Sequence, residues 1–102
     1  MSQRRRLHSR RPAETLDFEH AGQHFVASLG FYEDGSLGEI FVSARKLGSG
    51  ADAIARDGAI LASFALQFGA PLDALRKAMT RDGSGRASSP IGALLDLIGS
   101  AP

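Results

Sequence analysis

The chain contains no cysteine. That absence removes disulfides, thiolate metal sites, thiol nucleophiles and thiyl-radical chemistry together, and it fits a reducing compartment, so a cytoplasmic location is expected. Long apolar runs are lacking too. The longest apolar-rich stretch, Ala59 to Ala70, is broken by Ser63 and Gln67 and falls far short of the ~20 residues that cross a bilayer. The arginines at the start are followed by polar residues rather than an apolar h-region, so neither a membrane span nor a secretory signal is expected. What is present is ordinary for one small globular domain: 102 residues, 43% hydrophobic and 23% charged. A large multi-layer catalytic fold is excluded.

Net charge is almost absent, at +1, but it is unevenly spread. Arg4, Arg5, Arg6, Arg10 and Arg11 lie within the first eleven residues with no acid among them, and removing these five charges from +1 leaves the rest at −4. A short basic arm on an acidic body can dock on phosphate or on an acidic protein face. Residues 12–102 show no basic, aromatic-laced stripe of the kind nucleic-acid binders carry. Residues 1–12 therefore read as a flexible, solvated basic arm and residues 13–99 as a single domain.

Alternation predicts three strands. From Glu14 to His20, Leu16 and Phe18 share one face; after an Ala21-Gly22-Gln23 turn, Phe25, Ala27, Leu29 and Phe31 do the same. Asp34-Gly35 supplies a tight turn, and Glu39 to Ala44 alternates around Ile40 and Val42. The period changes after a Lys46-Leu47-Gly48-Ser49-Gly50 connection, where Ser49 stands three residues before Asp52 as a helix cap. Ile54, Leu61, Ala65 and Phe68, flanked by Ile60 and Phe64, recur at helical spacing, with Arg56, Asp57, Ser63 and Gln67 as the polar remainder and Gly69 as the stop. Pro71 opens a second helix that aligns Leu72, Leu75 and Met79 and pairs with the first. A polar loop from Arg81 to Ser88 reads as mobile, and a last helix follows, capped by Ser89, with Ile91, Leu94, Leu95 and Ile98 on one face. The expected fold is α+β, a three-stranded antiparallel meander packed against two to three helices. Its core is expected where Phe25, Ala27, Leu29 and Phe31 meet Ile54, Leu61, Ala65 and Phe68.

Candidate sites are sparse. Gly48, Ser49 and Gly50 ahead of a helix form a possible anion or phosphate loop, but the full P-loop pattern is missing and Asp52 puts a negative charge nearby. His20 and His24 bracket a turn and should come together on one face, with the carboxylates of Asp17 and Glu19 on the other, so the ligand count for a metal is unmet. No catalytic, cofactor or metal residue is assigned, since serines and histidines occur without a nucleophile elbow or any convergent acid, base and nucleophile.

The order of elements, together with Gly38-Glu39-Ile40-Phe41-Val42, Lys46-Leu47-Gly48-Ser49-Gly50-Ala51-Asp52-Ala53-Ile54-Ala55-Arg56 and the run from Ile60 through Gly69-Ala70-Pro71, resembles the TSCPD domain. That domain occurs near the C-terminus of adenosylcobalamin-dependent ribonucleotide reductases and as short stand-alone relatives. The resemblance covers roughly residues 15–80 and is most specific from Glu39 to Pro71. This chain lacks the Thr-Ser-Cys-Pro-Asp motif that names the family. The resemblance implies a link to deoxyribonucleotide synthesis, while the missing thiols exclude ribonucleotide reduction by this polypeptide alone.

The expected role is a non-catalytic accessory or interaction module, with a ribonucleotide reductase subunit as partner and no cofactor. The alternative is a nucleic-acid or nucleotide-binding module using the arginine arm; a small enzyme of unknown type is weaker still. A homodimer is also expected, because the meander has two edges and the last helix adds an apolar face to a domain with little core to receive it.

Overall fold

The computed structural model describes residues 3–46 and 48–99. The first two residues of the basic arm and Leu47 of the connection lie outside these. Strands β1 (Ala13–His20), β2 (Gln23–Phe31) and β3 (Leu37–Ala44) form one antiparallel sheet in the order β1-β2-β3. Helices α1 (Gly50–Gln67), α2 (Leu72–Ala78) and α3 (Pro90–Gly99) follow, so the α+β meander expected from the sequence is the fold observed.

The register follows from the alternation. Leu16 faces Ala27 and Phe18 faces Phe25, placing the apolar sides of β1 and β2 on one sheet face, where the Phe18 and Phe25 rings stack at 5.4 Å. Ala27 and Leu29 continue across to Val42 and Ile40. The β1–β2 turn is shorter than the three residues expected. Ala21 and Gly22 alone make it, at φ 52° and 78°, because positive φ at both central residues matches the right-handed twist of the strands. In this register His24 stands opposite Glu19 and His20 opposite Gln23, so the expected meeting of the two histidines does not occur. His24 instead pairs with the Glu19 carboxylate at 3.0 Å, on the face that His20 was expected to share.

The caps act as the sequence indicates. Ser49 accepts a hydrogen bond from the Asp52 N–H at 3.1 Å, and Ser89 accepts one from the Gly92 N–H at 3.1 Å. The segment from Arg81 to Ser88, expected to be a mobile loop, is cross-linked: Arg81 bridges Ala87, the Asp82 carboxylate accepts from the Ser84 and Arg86 N–H groups, and Arg81 grips Asp96 of α3 at 2.6 and 2.7 Å.

The core differs from expectation in which helix surfaces fill it. On the sheet side Phe25, Ala27 and Leu29 are buried as expected, Ile40, Val42 and Ala44 of β3 join them, and Phe31 is only half-buried. The helix side is Ala55, Ala59 and Ala62 of α1 with Ile91, Leu94 and Leu95 of α3. Ile54, Leu61 and Phe68 point the other way, Leu61 being 70% exposed, while Ala65 is half-buried. The correction has a packing cause: α3 supplies the large side chains over the sheet, and small residues let α1 lie close along β3. The pairing of α2 is corrected as well, since its main contacts are with α3 rather than α1. Finally, the apolar face of α3 lies inside this chain's own core, so the surplus apolar surface on which a homodimer was expected to form belongs to α1 instead.

Candidate interaction surface

An outermost strand leaves a row of backbone N–H and C=O groups that need partners. Helix α1 provides them for β3 with polar side chains. The Asp52 carboxylate accepts from the Ala44 N–H at 2.8 Å, the Ser63 hydroxyl accepts from the Ile40 N–H and donates to the Ile40 carbonyl, and the Gln67 side-chain amide donates to the Gly38 carbonyl at 2.9 Å. All three side chains are buried. Ser63 and Gln67 group in the sequence with Arg56 and Asp57 as the polar remainder of the helix; the usable signal was their spacing from Asp52, which puts them on the same helical side as Ala55, Ala59 and Ala62.

With that side inward, the large residues of α1 face out. Ile54, Leu61 and Phe68, with Ile60 and Phe64 beside them, make an exposed apolar stripe along an 18-residue helix. A groove of about 360 Å³ runs beside it, lined by Leu61 and Ala65 of α1, Leu75 of α2, Met79 just after α2, and Ile91 and Leu95 of α3. Gly58 brings the helices together here, since a β-carbon at that position would meet Ile91 at 3.0 Å. The groove has almost no polar lining, which suits contact with an apolar side chain rather than acid–base chemistry.

The basic N-terminal segment lies against the body. The backbone N–H of Arg5 donates to the Gln67 carbonyl at 2.7 Å, the Tyr32 hydroxyl donates to the Arg5 carbonyl, and the Arg5 guanidinium sits 3.7 Å over the Tyr32 ring and 3.3 Å from Asp34. Gly38 has no β-carbon to collide with the Tyr32 ring, which allows that ring its position. The Arg4 guanidinium donates to the Gln67 side-chain oxygen and covers the Phe64 ring at 4.4 Å. Arg11 donates to Glu39 at 2.6 and 3.0 Å, in a half-buried pair. Arg6 and Arg10 are exposed and make no such side-chain contact among the described residues. The five arginines are thus not one patch.

In the loop before α1, Gly48 takes φ 77°, its N–H donates to Asp52 at 3.2 Å, and the Ser49 hydroxyl donates to the Lys46 carbonyl at 3.2 Å. The Asp52 carboxyl is held below the usual carboxylate value first by the Ala44 N–H and then by Arg56, which donates to it at 2.9 Å. Asp34 is lowered to about 2, chiefly by the hydroxyl and N–H of Ser36 and further by Arg5. Among the described residues no group of three or more His, Asp or Glu side chains is arranged to hold a metal ion, and no helix is long and apolar enough to cross a membrane.

Over 80 residues, 78% of its length, the chain is 35% identical to a vitamin B12-dependent ribonucleotide reductase of Bradyrhizobium diazoefficiens. The chain is related to that reductase. It spans 6% of the enzyme's length, so the relationship is to one short segment of a much larger protein. No family model matches the chain, and no solved structure matches it. The related segment takes in most of this chain, within which β3 and α1 with its two opposed faces make up a large part.

Proposed function

We propose that this chain is a non-catalytic accessory module of the TSCPD type that works by contact with a vitamin B12-dependent ribonucleotide reductase in deoxyribonucleotide synthesis. The observation that carries this reading is the 35% identity with a reductase segment over 78% of the chain. The chemistry of ribonucleotide reduction supports contact over catalysis: the reaction draws on a thiyl radical and a dithiol, and this sequence has no thiol. The apolar groove between α1, α2 and α3 offers surface for such contact.

The arginine segment adds steering to a contact made by the helices. The test is binding of the full chain to a purified vitamin B12-dependent ribonucleotide reductase, followed in real time. Saturable binding is expected, and deleting residues 1–11 should slow association while leaving dissociation nearly unchanged. Absence of binding, or instead tight binding to DNA or RNA that falls steeply with salt, would overturn this reading.

A further inference from the structure

The outward stripe of α1 has a specific spacing. Ile54, Asp57, Leu61, Phe64 and Phe68 follow one another at intervals of three, four, three and four residues. That is the seam of a helix that packs lengthwise on a second helix. Among the described residues no helix or strand packs along it, because α1 meets β3 and α3 with its opposite side.

The seam is also polarised. Toward its start lies Asp57, exposed and without a side-chain partner among the described residues. Toward its end lies the Arg4 guanidinium, held over the Phe64 ring and bonded to Gln67. A parallel copy of the seam would set Asp57 against Asp57 and Arg4 against Arg4. An antiparallel copy does the reverse: with Leu61 of one helix against Phe64 of the other, Asp57 falls opposite Phe68 of the second copy, beside that copy's Arg4. The pairing then occurs twice about a two-fold axis, as an isologous interface requires.

We propose that the outward stripe of α1 is the interface of a homodimer, in which α1 packs antiparallel on α1 of a second copy and Asp57 of each chain pairs with Arg4 of the other. This rests on the reading of the chain as a module that works by contact. An acid on an otherwise apolar seam opposes association unless a cation meets it, and Arg4 is carried to that place by the Gln67 bond and the Phe64 ring. The N-terminal segment thereby contributes to the interface as well as to steering.

Sedimentation of the full chain across a wide concentration range tests the proposal, with the melting curve of each variant as the check on folding. The wild-type chain should be dimeric. Leu61→Asp, at an exposed position, should weaken the dimer more than about thirtyfold while the chain stays folded. Asp57→Arg, which sets a cation against Arg4 of the second copy, should weaken it too, and raising the salt concentration should recover part of that loss by screening the repulsion. A chain that is monomeric throughout, a dimer that survives Leu61→Asp, or a dimer indifferent to Asp57→Arg would overturn the proposal. A monomeric chain that still binds the reductase sinks the dimer and leaves the accessory role standing; a dimer that binds no reductase does the opposite.

Discussion

The hydroxyl of Ser63 both accepts from the Ile40 N–H at 2.8 Å and donates to the Ile40 carbonyl at 2.9 Å, so one side chain on α1 satisfies both backbone groups of a residue on the outer edge of β3. The hydroxyl also lies 2.9 Å from the Ala59 carbonyl in its own helix. Ser63→Ala leaves the Ile40 N–H buried without an acceptor, and should cost about 1–3 kcal/mol. Denaturant titration checks this; a loss under about 0.5 kcal/mol would mean that the edge does not depend on Ser63.

Leu61 and Leu94 should respond in opposite ways to the same truncation. Leu94 is fully buried over the sheet, and Leu94→Ala should cost about 2–5 kcal/mol, whereas Leu61→Ala at an exposed position should cost less than about 0.5 kcal/mol in the monomer. Equal losses in denaturant midpoints, measured at a concentration too low for association, would return Leu61 to the core.

Ala21 carries a β-carbon at φ 52°, in a turn that favours asparagine or glycine. Left-handed backbone costs an ordinary L-residue about 1–2 kcal/mol, and asparagine relieves part of that by bonding locally. Ala21→Asn should therefore raise thermal stability, and an unchanged or lowered melting temperature would show that the turn is not strained.

Acid should destabilise the fold through Asp52 and Asp34. Both carboxyls lie below their ordinary value when folded, so their contribution is complete above about pH 4 and is lost as pH falls through the folded values, near 2 for Asp34. Asp52→Asn should lower stability at neutral pH and flatten the acid limb of a plot of urea midpoint against pH. An acid limb as steep as that of the wild-type chain would remove Asp52 from this account.

Much of the fold was legible along the chain because its signals are local. Strand alternation around Phe25, Ala27 and Leu29, the Asp34-Gly35 turn, and the serine caps at Ser49 and Ser89 each depend on a few neighbouring residues, and each formed as those residues indicate. The lack of cysteine, and with it of thiol chemistry, is read from the sequence in the same direct way. The candidate surface was less legible, and the cause is specific. Helical periodicity in α1 marks an apolar stripe but does not say what the stripe faces, and the opposite side of that helix, with Ala55, Ala59, Ala62 and Ser63, looks weak on any scale of side-chain hydrophobicity.

The sequence alone therefore determined the elements, their caps and the absence of thiol chemistry, since those follow from backbone preference and residue type. Only the tertiary structure decided which side of α1 is inside. The need for partners along the edge of β3 exists only once the sheet is assembled, and Asp52, Ser63 and Gln67 meet it. Small residues then bring α1 close to β3, α3 fills the space over the sheet with Leu94 and Leu95, and the large side chains of α1 are left facing solvent.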